Sequence, residues 1–166
     1  MTDMIADDIR RLEEQERLLR FTRFSPDDAW ALGNRLRETA LAFGAGVAID
    51  ISLRDRVLFH SALPGTSTDN LEWIRRKRNT VLRLWNASYL IGRRLALSNR
   101  EQVEAHNLPH ADFSVHGGSF PLFVAELGCV GAVTVSGVPQ RKDHAIVVDA
   151  IAGFLGIDLG DYRLSD

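Results

Sequence analysis

HGGSFPLFVAELGCVGAVTVSGVPQRKDHAIVV, residues 116 to 148, carries most of the information about the fold. The glycine pair Gly117-Gly118 opens it. Phe120 to Ala125 and Cys129 to Val135 follow as two β-rich runs around a tight turn. Pro121 predicts that the first run starts there or lies at a sheet edge, because proline cannot donate to a central ladder. Ser136-Gly137 makes a second turn, and from about Pro139 to Leu155 the residues Val147, Ile151 and Phe154 recur on one helical face. This order predicts two flexible turns beside a helix N-terminus, with His116 and His144 flanking them, which is how a small pocket is assembled.

Upstream, Val47, Ile49, Ile51 and Leu53 alternate with Ala48, Asp50 and Ser52, the pattern of a half-buried strand, and Arg56 to Leu63 continue as its hairpin partner. The register stays open at this point. A two- or four-residue loop around Arg54-Asp55 places His60 opposite Ile49, whereas a one-residue shift sets it across from Asp50 and makes an Asp–His pair. Pro64-Gly65-Thr66 ends the hairpin. Asp69 with Glu72 reads as a capping-box-like start for a helix to about Leu84, with Ile74, Val81, Leu82 and Trp85 on its buried side and Arg75, Arg76 and Arg78 mostly opposite. A further helix covers Ala87 to Leu97, and the polar segment Ser98 to Ser114, interrupted by Pro109, reads as irregular.

Towards the N-terminus, residues 3 to 19 place Ile5, Ile9, Leu12 and Leu19 on one narrow helical side, so this helix is expected to dock on the domain or on another subunit. Ser25-Pro26-Asp27-Asp28 is a strong helix start, with Ser25 as cap, proline at the first helical position and two acids at the positive end of the dipole. Ala29, Leu32, Leu36, Ala40 and Phe43 then recur at helical spacing until Gly44 and Gly46 stop the helix. Gly156 to Asp166 reads as a loosely ordered tail. Two antiparallel hairpins separated by helices predict an α+β fold, helices on a mostly antiparallel sheet, rather than a parallel βαβ fold. One domain over residues 1–166 is expected, with 1–20 as the docking helix.

The 166 residues, 45% hydrophobic, suffice for an ordinary core burying roughly 70% of the unfolded surface. A net charge of −2 gives no electrostatic reason to expect nucleic acid or a membrane surface as partner. The single cysteine, Cys129, excludes an intramolecular disulfide and in its apolar run reads as a small buried hydrophobe. The densely charged N-terminus is neither a signal peptide nor a membrane span, so a cytoplasmic location is expected.

Three stretches carry a resemblance: HGGSFPLFV (116–124), GAVTVSGVPQ (131–140) and Asp143-His144 are similar to the haem-degrading domain superfamily, also called GlcG-like or HbpS-like. AIDISL (48–53), LFHSALPGT (58–66) and LEWIRRKRNTV (71–81) resemble its small stand-alone branch of uncharacterised proteins. The resemblance implies a profilin-like sandwich with a central antiparallel sheet of about five strands, assembled into a symmetric homo-oligomer. It also implies haem as candidate cofactor, and it carries the family's glycine turns onto Gly117, Gly118, Ser136 and Gly137, with His116 and His144 beside them. Extracellular haem sensors of the superfamily have an export signal, which is not expected with this charged N-terminus.

Among candidate ligand-binding residues, His116 can bind haem iron axially or carry a proton. His144, at the positive end of the last helix, is expected to be neutral and able to coordinate or accept a proton. The basic run Arg75, Arg76, Lys77, Arg78 can meet a phosphate or propionate, and Trp73 shares a helical face with Lys77. His106 and His110 have metal-ligand spacing, but Pro109 breaks the helix that a zinc site would need, and no metal is expected. No GxSxG, HExxH, dinucleotide or phosphate-loop motif is present, so no catalytic residue is assigned. Three readings follow: a cytoplasmic oligomer binding a small anionic ligand such as haem or another tetrapyrrole, an oligomeric scaffold without small-molecule chemistry, and a haem-degrading enzyme using an external reductant.

Overall fold

The computed structural model describes residues 1–164. Helices α1 (Thr2–Leu18) and α2 (Pro26–Ala42) precede a hairpin of β1 (Ala48–Leu53) and β2 (Val57–Ala62). Helices α3 (Thr68–Leu84), α4 (Ser88–Ser98) and the short α5 (Gln102–His106) lead to a second hairpin, β3 (Ser119–Val124) and β4 (Gly128–Ser136), and α6 (Gln140–Leu155) follows. All three strand pairings are antiparallel, and the sheet order is β2-β1-β4-β3. Among the described residues the sheet has four strands, slightly fewer than the expected number of about five. A single parallel bridge, Phe21 to Val124, lies beside the β3 edge, because Ser25-Pro26 turns the chain into α2 before a strand can extend.

The alternation in β1 separates two different interiors. Ile49 and Ile51 pair with Val135 and Val133 on the face that packs into the main apolar core with Leu32 and Leu36 of α2 and Val147 and Ile151 of α6. Asp50 and Ser52 lie opposite Thr134 and Ala132 on the other face. That face is also buried, against the expectation of a half-buried strand, because α3 covers it with Lys77, Thr80 and Val81. The hydroxyls there find partners within the layer: Ser119 Oγ and Thr134 Oγ1 are 2.8 Å apart, and Thr80 Oγ1 donates to the Ser114 carbonyl at 2.9 Å. Such pairing offsets the cost of burying them.

A bulge decides the open register. Ser52 pairs with Val57 but Ile51 pairs with Phe59, so the extra residue Leu58 carries His60 across from Asp50. The Asp–His pair therefore exists, with His60 Nδ1 3.6 Å from Asp50 Oδ2.

Of the two helix starts read from capping residues, one is where it was expected. Ser25 and Asp28 form the expected reciprocal capping box of α2. For α3 the cap is Ser67, whose N–H donates to Asn70 Oδ1 at 2.8 Å, two residues before the position read from Asp69 and Glu72. The segment read as irregular contains α5, closed by Gln102 Nε2, which donates to the carbonyls of Leu108 and Phe113.

The C-terminal tail is more ordered than expected. Leu159 is buried, Gln15 Nε2 donates to the Tyr162 carbonyl, and Arg11 donates to the carbonyls of Asp161 and Arg163. The last residues of that tail, Ser165 and Asp166, lie outside the described residues. Helix α1 packs along α4 and meets this tail, burying Leu12 and leaving Leu19 fully buried just beyond its end; each such leucine contributes about 1.5–3 kcal/mol. Among the described residues, no helix is long and apolar enough to cross a membrane.

Candidate functional site

Asp69, Trp73 and Lys77 stand four residues apart along α3 and so form one stripe of that helix. The stripe meets the Ser136–Val138 turn, the start of α6 and His116 around a recess of about 270 Å³. Glycine turns and helix start thus converge, and the recess they leave is open. It falls just below the roughly 300–1,000 Å³ usual for small-molecule sites, enough for part of a large ligand.

The floor is an ion pair. Lys77 Nζ donates to Asp143 Oδ2 at 2.9 Å and to the Val135 carbonyl at 3.1 Å. Asp143 Oδ1 accepts the Val138 N–H at 3.1 Å, so the carboxylate of α6 itself occupies the anion position at that helix start. Burial lowers the Lys77 pKa and raises that of Asp143, and their mutual attraction opposes both shifts.

The wall is aromatic. Trp73 donates through Nε1 to Asp69 Oδ2 at 3.1 Å, and its ring meets the His116 imidazole edge to face, 5.0 Å between centroids. His116 is exposed, and its Nδ1 lies 3.2 Å from Ser114 Oγ. If Nδ1 carries the proton and donates to Ser114, Nε2 is left with a free lone pair. Partial desolvation beside the wall, then Lys77 and Arg76, lower the His116 pKa, which favours the neutral imidazole.

The sequence candidates divide. His116, Ser136, Gly137 and Lys77 line the recess; Gly117, Gly118 and His144 do not. A Cβ on Gly117 would collide with the Gln140 carbonyl oxygen, and one on Gly118, where φ is +127°, with that of Val135. The close approach these two glycines permit is therefore made by the protein's own backbone and not by a ligand. Gln140 Oε1 accepts the Gly117 N–H at 3.1 Å, tying the His116 loop to α6.

His144 is buried between α6 and α1, with Nε2 2.8 Å from Gln15 Oε1 and its ring near Tyr89 and Phe120. It is neutral, as expected, but burial and not the helix dipole takes its pKa to about 3. The α3 stripe is legible in the sequence, but the residues it faces are not: that Trp73 walls His116 and that Asp143 pairs with Lys77 emerges only from the tertiary structure. His106 ends α5 and His110 follows Pro109, where its Nε2 is 3.9 Å from Glu101. Cys129 is buried, and burial raises its thiol pKa.

Residues 24–152 match the family described as haem degrading protein HbpS-like. A UPF0303 protein of Rhizobium etli is 48% identical over 161 residues, covering 97% of this chain and 98% of that protein. The crystal structure of Ybr137w protein is similar with a TM-score of 0.84 at 25% identity, covering 95% of each chain. The crystal structure of a PduOC:heme complex shares the fold, with a TM-score of 0.67 at 18% identity over 78% of this chain and 93% of that one.

Proposed function

This chain belongs to the HbpS-like family of haem-degrading proteins, and from that premise we propose that it binds a small, partly apolar, anionic ligand at the Trp73–His116 recess, with haem as the candidate. The observation that carries the reading is the His116 imidazole at the recess, its Nδ1 3.2 Å from Ser114 Oγ and its ring edge to face with Trp73. Residues of this kind fit haem: His116 would offer an imidazole nitrogen to the iron and Trp73 an apolar face. The recess, about 270 Å³, would hold only part of a macrocycle. Haem bound there would supply an iron centre with redox and gas-binding chemistry. The chain's own residues orient the imidazole and, through the Lys77–Asp143 pair, hold the floor.

Titration of haem into the purified protein tests this, read by the Soret band with His116→Ala as control. A shifted band in the wild type that the variant loses is expected; an unshifted wild-type spectrum overturns the proposal. Assembly into a cytoplasmic homo-oligomer belongs to the same reading. Light scattering giving the mass of one chain would refute the oligomer.

A further inference from the structure

Trp73 and His116 also line a second recess, of about 300 Å³, with Arg76, Arg100, His110 and Phe113. The two recesses share this aromatic wall but differ in charge. The first presents Asp69 and Asp143 against Lys77, whose ammonium is already bonded to Asp143 and to the Val135 carbonyl. A carboxylate arriving there meets two others, and the Val138 N–H at the start of α6 is already used by Asp143. The second recess presents two guanidinium groups against one carboxylate, Glu101.

The hydrogen bonds those guanidinium groups make are long, although Arg76 is also stacked on an aromatic ring. Arg76 lies 4.2 Å over the Trp73 ring, and its Nη1 reaches the His110 carbonyl only at 3.5 Å. Arg100 Nη2 reaches the Glu104 carbonyl at 3.4 Å, long for such a bond. Each group has five N–H donors in a planar fork, the geometry that matches a carboxylate.

We propose that the Arg76–Arg100 recess is the subsite for the ligand's carboxylates, with the flat body of the ligand against Trp73 and His116. This rests on the binding reading above and gives the ligand a direction, its anionic end away from the start of α6.

The test is a titration of haem and of haem dimethyl ester, which lacks the two free carboxylates, into wild type, Arg100→Ala and Arg100→Glu. Soret absorbance and tryptophan fluorescence are both read. Arg100 is exposed, so its replacement leaves the core intact. Haem is expected to bind wild type about fivefold more tightly than its ester, and Arg100→Ala to remove that advantage without weakening the ester. Equal affinity of wild type for haem and ester, or unchanged haem affinity in Arg100→Glu, overturns the subsite while the binding reading stands. No binding of either compound overturns both.

Discussion

Lys77 Nζ lies 2.9 Å from Asp143 Oδ2, and each side chain is only 3% exposed. The pair joins α3 to α6 beneath the recess, so its members are expected to fail singly and not together. Lys77→Met strands a buried carboxylate and is expected to cost about 3–5 kcal/mol, whereas adding Asp143→Leu recovers most of that loss. Urea midpoints of the two single variants and the double variant measure it. A double variant no more stable than Lys77→Met would refute the coupling.

His144 makes stability depend on acid. Its folded pKa of about 3 lies below the ordinary value of 6.5, so between those values the unfolded chain binds a proton that the folded chain does not. The contribution is fully present above about pH 6.5 and is lost as pH falls towards 3. It is on the order of 4 kcal/mol. Unfolding of wild type and His144→Gln at pH 7, 5 and 4 should show a shallower acid loss in the variant; parallel losses would mean that His144 is not held neutral.

The attachment of α1 depends on Asp8. This carboxylate, 3% exposed, accepts two hydrogen bonds from Arg141, at 2.8 and 3.0 Å, with Arg93 3.6 Å away. Asp8→Ala leaves two half-buried guanidinium groups facing each other and is expected to cost about 2–3 kcal/mol. Amide exchange should quicken along residues 2–18 before the sheet is affected. Unchanged exchange there would show that the apolar contacts of Leu12 and Leu19 suffice to hold the helix.

Two glycines with positive φ should differ in their tolerance of alanine. At Gly44 (φ +66°) nothing stands within 4 Å of an added Cβ, and the cost is confined to backbone strain of about 1 kcal/mol. At Gly118 the Cβ meets the Val135 carbonyl and also lies 2.8 Å from Lys77 Nζ, so about 2 kcal/mol or more is expected. Thermal midpoints compare the variants, and equal losses would contradict the packing around Gly118.

Local signals were legible wherever one segment decides its own conformation. The Ser25-Pro26-Asp27-Asp28 start of α2, the alternation of β1 and the two-run hairpin of β3 and β4 all appear where the pattern puts them. The convergence of the Ser136-Gly137 turn, His116 and the α6 start was also readable, since one contiguous stretch supplies all three. The α3 cap was displaced by two residues because Ser67-Asn70 and Asp69-Glu72 both satisfy the same local rule, and the chain uses the first.

The amino-acid order by itself determined the long helices and the strands, though not α5 or the burial of Lys77 on α3, because those long elements show periodicity over many neighbouring residues. Tertiary structure alone decided that Asp50 and Ser52 are covered, that His144 turns inward to Gln15, and that Lys77 is spent on Asp143, 66 positions away. Each of these depends on which elements meet across the sheet, and the free energy of a buried polar group is set by the partner that arrives from elsewhere in the chain.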